Sequence, residues 1–280
     1  MQRKKIKLIA SDLDGTLLNS KKEISEKTKY YLKKAHENGV FIVPATGRAY
    51  HALPKSILEL SEISYFITSN GASLIDKNGK IIKNSYVPPS IVDILSKKVK
   101  DEPIMIEFTT DGFAYTEKKY IENLNSYGIT DTHAQYVYNT RHIIDDIEKF
   151  MEEKKNYLEN INLIFLNSAQ RKEFFHELSK QKEISVTFFS DKNLEITAKS
   201  ATKGNCLNEL CQHLHILPEE VIAFGDNEND RDMLHFAGIS VAMENAPLSL
   251  KEISNFVTFS CDLDGVAHIL EKLSLFSHFF

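Results

Sequence analysis

The sequence lacks any hydrophobic run long enough to cross a membrane, since no segment approaches the roughly 18 consecutive apolar residues that a spanning helix needs. Only a strand-length apolar run follows the basic start, so we also expect no signal peptide. The three cysteines, Cys206, Cys211 and Cys261, lack zinc-ligand spacing, and an odd number argues against a disulfide framework. We therefore expect a reducing, cytoplasmic location and no membrane partner.

The sequence also lacks an excess of basic residues, internal repeats and low-complexity linkers. Its 34 basic and 39 acidic residues give a net charge of -5, which argues against nucleic acid as a partner. The 280 residues, 42% of them hydrophobic, suffice for one large or two modest globular domains. The apolar C-terminal segment Leu273–Phe280 has no function that the sequence indicates; we expect it to pack on the body of the protein, with a surface for a partner as the alternative.

An acidic pair, Asp12 and Asp14, follows the first apolar run of the chain, Ile6–Ala10, which is typical of a buried strand. The turn residues Gly15 and Thr16 come next. Ligands of α/β sheets bind beyond the carboxyl ends of parallel strands, and two carboxylates there would suit Mg²⁺. Taken alone, this pattern is more typical of a solvated, aspartate-rich turn than of a metal site.

The first part of the chain alternates between predicted strands and helices, as in a parallel sheet with right-handed crossovers, and the same pattern resumes at Lys203. Predicted strands are Ile6–Ala10, Val40–Val43, Tyr65–Thr68, Val221–Phe224 and Ile239–Ala242, and predicted helices include Tyr50–Leu60 and Lys203–His215. We predict an α/β protein whose Rossmann-like core, with a parallel sheet, is discontinuous in sequence and comprises residues 1–84 and 192–280.

A second domain, an inserted α+β cap, is predicted for residues 85–191, because helices and strands there alternate without any acid pair or phosphate-binding motif. Thr110-Asp111-Gly112 indicates a hairpin turn between Ile104–Phe108 and Phe113–Tyr115. The apolar residues from Ile143 to Met151 indicate a helix face. We expect an antiparallel sheet in this domain.

Four polar stretches lie at or just after predicted strand or helix boundaries, and together they supply what phosphoryl transfer needs. They are Asp12-x-Asp14, Thr46-Gly47-Arg48, Lys203-Gly204 and Gly225-Asp226-x-x-Asn229-Asp230. The set contains a carboxylate nucleophile, a second carboxyl group for proton transfer, donors for phosphate oxygens and oxygen ligands for Mg²⁺. Each stretch alone also has an ordinary explanation as a turn, a cap or a solvated side chain.

The sequence resembles the haloacid dehalogenase (HAD) superfamily of phosphatases, in its Cof-like branch with a large inserted cap. The matching segments are D-L-D-G-T-L-L from Asp12, A-T-G-R from Ala45, S-N-G-A from Ser69, K-G from Lys203, G-D-N-E-N-D-R-D-M-L from Gly225, A-G-I-S-V-A-M-E-N-A from Ala237 and D-G-V-A from Asp264. They cover nearly all of the core, whereas the cap matches only in size and position. Glu244 departs from the family, whose members often have glycine there.

The resemblance implies that Asp12 attacks phosphorus and forms an aspartyl-phosphate. Asp14 would protonate the leaving oxygen and then activate water, so its environment should raise its pKa. The Thr46 hydroxyl and the Gly47 backbone N–H would hold the transferring phosphoryl group, and Lys203 would neutralise its charge.

The resemblance also implies a Mg²⁺ cofactor, held by the Asp12 carboxylate, the Asp14 backbone carbonyl and Asp226. Asn229 and Asp230 would orient these ligands or the waters of the metal, and Asn229 would also contact substrate. Asn70 and Arg48 would line the entrance for substrate or brace the loop.

Similar proteins dephosphorylate small metabolites, mostly sugar phosphates and sometimes phosphorylated cofactors, so we expect a small phosphorylated partner. We expect a monomer or a weak homodimer. Specificity should lie in the cap, for which the candidates are Asp111, Tyr115, His133 and Asn193. Two alternatives remain open: a phosphosugar mutase, and a non-catalytic ligand-binding regulator on the same fold.

Overall fold

The computed structural model of the chain describes residues 5–100, 102–188 and 190–274. The strands are β1 Leu8–Ser11, β2 Phe41–Pro44, β3 Tyr65–Thr68, β4 Ser73–Asp76, β5 Ile81–Asn84, β6 Ile104–Thr110, β7 Phe113–Glu117, β8 Arg141–Ile144, β9 Asn160–Phe165, β10 Ile184–Thr187, β11 Asn193–Ala198, β12 Val221–Gly225, β13 Ile239–Ala242 and β14 Phe256–Val257. The helices are α1 Glu26–Glu37, α2 Lys55–Leu58, α3 Pro89–Val99, α4 Lys118–Ile121, α5 Asp131–Thr140, α6 Ile147–Lys154, α7 Ser168–Leu178, α8 Lys203–Leu214, α9 Arg231–Phe236, α10 Leu248–Lys251 and α11 Gly265–Ser274.

The chain forms two compact units, each built from discontinuous segments. The core unit comprises residues 1–47, 54–83 and 202–280, and the second unit comprises residues 48–53 and 84–201. Within the described ranges, no helix is both long enough and apolar enough to cross a membrane. Residues 275–280, most of the apolar C-terminal segment, lie outside the described residues.

A five-stranded parallel sheet, in the order β14-β13-β12-β1-β2, organises the core unit. Its central strands β1 and β12 are buried along their whole length, as strands covered on both faces of an α/β sheet must be. Strand β3 lies beside β2, where isolated parallel bridges link the two segments, and it pairs antiparallel with β4. The predicted α/β class with a parallel core sheet is confirmed.

Helix α8 closes one side of the core unit. Its apolar face, predicted from helical spacing, is buried and packs in one cluster with residues of β1, β2 and β12. Thr202 caps the helix, since its side chain accepts a hydrogen bond from the Asn205 backbone N–H. The packing and the cap together fix the position of the first residue of the helix, Lys203.

The second unit contains a six-stranded sheet in the order β10-β11-β9-β6-β7-β8. All neighbours pair antiparallel except β7 and β8. The predicted β6–β7 hairpin is present, and Asp111 and Gly112 at its turn have positive φ angles of 53° and 75°, which a two-residue hairpin turn of this kind requires. The predicted antiparallel sheet is therefore confirmed.

Two predictions of secondary structure were wrong. The predicted helix Tyr50–Leu60 is broken into a short 3-10 turn, Tyr50–Ala52, and helix α2, because Pro54 has no N–H and holds Leu53 extended. The apolar face from Ile143 to Met151 divides between strand β8 and helix α6. Short apolar runs fit either period, and here pairing with β7 determines the strand.

The boundaries of the units also differ from the predicted 1–84, 85–191 and 192–280. Strand β11 lies between β10 and β9, so the second unit continues to residue 201. Residues 48–53 belong to the second unit as well, where the His51 N–H donates to the Gly112 carbonyl at 3.0 Å and the His51 ring stacks on Phe113. Both shifts follow from pairing and stacking partners that are distant in sequence.

Candidate active site

The candidate site lies at the carboxyl ends of three neighbouring parallel strands of the core unit. Strand β1 ends at Ser11 and leads to Asp12, whose N–H donates to the Phe224 carbonyl of β12 at 3.0 Å. Strand β12 ends at Gly225 and leads to Asp226. The register of β1 between β2 and β12 therefore brings the first acidic residue and the acidic loop 226–230 to one edge of the sheet.

Lys203 supplies the positive charge of the site. Its Nζ lies 2.6 Å from Asp12 Oδ1 and 2.7 Å from Asp230 Oδ1, and its side chain is only 1% exposed. These short, charge-assisted hydrogen bonds join Lys203 to residues that lie 191 and 27 positions away in the chain. Burial acts to lower the pKa of Lys203, but the two carboxylates outweigh it and raise the pKa above its ordinary value.

Asp230 is completely buried and holds the acidic loop together. While Oδ1 accepts from Lys203, Oδ2 accepts from the backbone N–H groups of Asp226 and Asn227 at 2.9 and 3.0 Å. Gly225 allows this close approach, since a Cβ there would lie 2.5 Å from the Cβ of Asp230. Asp230 is fully buried and accepts three hydrogen bonds, one of them from the Lys203 ammonium, so it is better suited to orienting its neighbours than to binding a metal directly.

Asp226 is held by two neutral donors. The Thr16 hydroxyl donates to Oδ1 at 2.8 Å, and the Asn245 side-chain amide donates to Oδ2 at 2.7 Å. Gly15 has a φ of +89°, and a Cβ there would lie 2.5 Å from Asp226 Oδ2. Glycine is therefore required in the turn that follows the acid pair, for both its backbone conformation and its lack of a side chain.

The carboxylates of Asp12, Asp226 and Asp230 offer oxygen atoms that all lie within 4.8 Å of one another. Among the described residues, Lys203 forms ion pairs with Asp12 and Asp230, and the group keeps excess negative charge when all three acids are ionised. Burial raises the pKa of Asp12 well above its ordinary value and also raises that of Asp226. An all-oxygen, electron-rich set of this kind fits a hard divalent cation, which would restore the charged forms.

Asp14 lies apart from these three carboxylates. Its side chain is one-third exposed, and its Oδ1 accepts from Lys22 Nζ at 2.8 Å. The residue forms a backbone bridge with Leu18, so the turn after Asp12 is ordered. The proton-transfer function of Asp14 and the metal-binding function of its carbonyl stay predictions.

A polar edge of the core unit is formed by Thr46, Gly47, Asn70 and Asn229. The Asn70 N–H donates to the Thr46 carbonyl at 3.0 Å, and the Asn229 side-chain amide donates to Asn70 Oδ1 at 3.0 Å. Asn70 has a left-handed backbone, and its Oδ1 lies 3.0 Å from where a Cβ of Gly47 would be. Asn229 Oδ1 is buried without a hydrogen-bond partner among the described residues, and a water molecule would satisfy it.

Arg48 belongs to the second unit, although Thr46 and Gly47 belong to the core unit. Its guanidinium donates to the Ala52 carbonyl at 3.3 Å and lies 4.8 Å from the centre of the Tyr136 ring. These contacts support a structural function for Arg48. Its assignment to substrate binding stays a prediction.

Three of the four specificity candidates have partners within the second unit. Asp111 pairs with Lys154, Tyr115 packs against Phe108 and Phe150, and the buried Asn193 donates to Asn162. His133 lies in α5, and its side chain is outside what the structure describes. The partners found for the other three indicate ordinary packing or turn functions.

Sequence reasoning missed Thr16 and Asn245, which hold Asp226. Both lie within segments that match the family, D-L-D-G-T-L-L and A-G-I-S-V-A-M-E-N-A, but neither their spacing nor their residue type indicates what they contact. Glu244, the departure from the family pattern, accepts from the Ser260 N–H at 3.2 Å and is exposed. That contact is consistent with a position at which residue type varies.

Comparison with known proteins gives one consistent answer. The family described as haloacid dehalogenase-like hydrolase matches residues 9–270. Phosphatase YwpJ of Bacillus subtilis is 30% identical, over 96% of this chain and 100% of that protein. The 5-amino-6-(5-phospho-D-ribitylamino)uracil phosphatase YwtE of Bacillus subtilis is also 30% identical, over 96% and 98%.

A solved structure supports the same conclusion. A haloacid dehalogenase-like hydrolase from B. subtilis superposes with a TM-score of 0.82 at 28% identity, covering 96% of this chain and 100% of that one. The family match, the curated relatives and the solved structure thus agree with one another. The chain belongs to the haloacid dehalogenase-like hydrolases, in their Cof-like branch of phosphatases, and is a hydrolase that acts on phosphate esters.

Proposed function

We propose that the protein is a Mg²⁺-dependent phosphatase that hydrolyses a small phosphomonoester through an aspartyl-phosphate on Asp12. The observation that carries this proposal is the buried contact of Lys203 with Asp12 and Asp230, beside Asp226, at the carboxyl edge of the parallel sheet. Buried ions are costly unless they are paired or serve a function, and here one ammonium pairs with only two of three clustered acids.

In the first proposed step, the carboxylate of Asp12 attacks phosphorus through Oδ2, since Lys203 occupies Oδ1. A bond from Asp12 to phosphorus forms while the bond to the leaving oxygen breaks, and Asp14 gives that oxygen its proton. In the second step, Asp14 takes a proton from water, whose oxygen bonds to phosphorus while the bond from Asp12 to phosphorus breaks. Inorganic phosphate leaves, and Asp12 and Asp14 return to their starting states.

The other residues stabilise and position the phosphoryl group. The Thr46 hydroxyl and the Gly47 N–H would donate to its oxygens, and Lys203 would offset the charge that develops on it. Asp12, Asp226 and the Asp14 carbonyl would hold Mg²⁺, which supplies further charge neutralisation when bound. Asn229 and Asp230 would orient these ligands and their waters, which the unpartnered Asn229 Oδ1 and the fully engaged Asp230 support.

The proposed substrate class is a small phosphorylated metabolite, a sugar phosphate or a phosphorylated cofactor. A relative named for 5-amino-6-(5-phospho-D-ribitylamino)uracil supports this size and chemistry. We propose that the second unit sets the preference, because one face of its sheet carries polar side chains: Glu107 accepts from both Arg141 and Asn162 there. The enzyme would act in the cytoplasm, as its three unpaired cysteines suggest, and as a monomer or weak homodimer, since one chain supplies all of the site residues.

The experiment that tests the proposal measures phosphate release from a panel of sugar phosphates, nucleotides, pyridoxal phosphate, flavin mononucleotide and 5-amino-6-(5-phospho-D-ribitylamino)uracil. Each compound is assayed with Mg²⁺ and with chelator. Release from one or a few compounds that chelator abolishes is the expected result. Isomerised sugar phosphate without free phosphate would favour a mutase, and a folded protein that is silent on every compound would favour a binding regulator.

A further inference from the structure

Asn245 contacts two parts of the candidate site at once. Its side-chain Nδ2 donates to Asp226 Oδ2 at 2.7 Å and to the Gly15 carbonyl at 3.3 Å. The first contact involves a proposed metal ligand, and the second involves the turn that carries Asp12 and Asp14. One carboxamide therefore ties the acidic loop after β12 to the turn after β1.

The backbone around Asn245 is built to hold it at this point. The Met243 N–H donates to the Gly225 carbonyl at 3.0 Å, which joins the residues after β13 to the start of the acidic loop. The Ala246 N–H closes a turn onto the Met243 carbonyl at 3.0 Å, and both of these side chains are buried. The turn is thus anchored on each side of Asn245, whose own side chain is exposed.

The chemistry of the donor suits a carboxylate that must bind a cation. With Thr16 on Oδ1 and Asn245 on Oδ2, each oxygen of Asp226 has one neutral donor and keeps lone-pair capacity for another partner. A lysine in place of Asn245 would fix the same rotamer but would cancel the charge that attracts a metal. An amide fixes the orientation and leaves that charge in place.

We propose that Asn245 is a positioning residue for the metal site. Its carboxamide fixes Asp226 in the orientation that binds a divalent cation and sets the distance between Asp226 and the turn at Gly15. This inference rests on the proposed Mg²⁺-dependent function. Partners of metal ligands typically contribute 10–100-fold to metal affinity, so Asn245 should affect cation binding more than folding.

The test measures Mg²⁺ binding to the metal-free protein by isothermal titration calorimetry, and Mn²⁺ binding by electron paramagnetic resonance of the free ion. We expect Asn245→Ala to weaken both affinities by about tenfold or more, with a metal-free melting temperature close to that of wild type. In phosphate release, the Mg²⁺ concentration for half-maximal rate should rise by the same factor, while kcat at saturating Mg²⁺ stays within a few-fold. If the alanine variant does not fold, Asn245→Ser replaces it in these measurements, because serine is too short to reach both partners.

Asn255→Ala is the matched control. Asn255 Oδ1 accepts from the Ser240 N–H and hydroxyl, so it braces strand β13 without touching Asp226. This variant should lower the melting temperature and leave Mg²⁺ affinity unchanged. If the Mg²⁺ affinity of Asn245→Ala is within twofold of the wild-type value, or if Asn255→Ala loses as much affinity, only the inference about Asn245 is overturned. If the wild-type protein binds neither Mg²⁺ nor Mn²⁺, the proposed metal dependence is overturned together with the inference.

Discussion

Replacing Lys203 with methionine should destabilise the metal-free protein strongly. Lys203 is the first residue of α8, where the helix dipole disfavours a cation, so its position depends on its contacts with Asp12 and Asp230. Methionine fills a similar volume but leaves two buried carboxylates without their cation. Removing one partner of a buried ion pair costs about 3–5 kcal/mol in free energy of unfolding.

The assay is thermal and urea unfolding of the metal-free variant at pH 7. With about 2–4 °C lost per kcal/mol for a domain of this size, the melting temperature should fall by roughly 10 °C. Because Lys203→Met leaves the acids with one more uncompensated negative charge, Mg²⁺ should raise its melting temperature by more than it raises that of wild type.

Lys7→Met is the control for the loss of a lysine ion pair. Lys7 lies 2.8 Å from Glu220, but its side chain is 47% exposed, and such pairs contribute only about 0.2–1 kcal/mol. If Lys203→Met unfolds at the same temperature as Lys7→Met, the buried contact does not hold the site together, and the reasoning is refuted.

Two further predictions concern protons and thiols. Burial raises the folded-state pKa of Asp12 and Asp226 above the unfolded-state values. At a pH between the unfolded-state and folded-state values, the metal-free folded protein therefore binds more protons than the unfolded chain, and its stability falls as the pH rises through this range. The gain in melting temperature from Mg²⁺ should therefore be larger at pH 7.5 than at pH 5, and an equal gain would contradict the burial of these carboxyls. Burial also raises the pKa of Cys206 and Cys211 to about 12. A thiol reagent at pH 8 should therefore modify at most Cys261 in the native protein, but all three cysteines in urea. Two or more fast-reacting thiols in the native state would be inconsistent with this packing.

The sequence was sufficient to predict the sheet and the residues that meet at its edge. Buried strands have strongly apolar sequences, and the carboxyl ends of neighbouring parallel strands meet, so the acids after β1 and β12 were expected to be close. The apolar spacing of α8 likewise predicted a helix that begins at Lys203. The structure brings these residues together, while their chemical functions stay predictions.

The remaining features depend on contacts between distant residues. Strand β8 is recognisable only from its pairing with β7, and residues 48–53 join the second unit through the contact of His51 with Gly112 and Phe113. The orientation of Asn245 toward Asp226 similarly depends on where two loops from different strands meet. Pro54 is the exception, because its effect on the predicted helix was readable from the sequence.

The measurement that tests the central proposal most directly is phosphate release by Asp12→Asn, using the best substrate from the panel at saturating Mg²⁺. The amide occupies the same space but is a poor nucleophile, so turnover should fall by about 10⁴-fold or more. The variant should still fold, with unchanged circular dichroism. A folded Asp12→Asn protein that releases phosphate within tenfold of the wild-type rate would contradict an aspartyl-phosphate on Asp12.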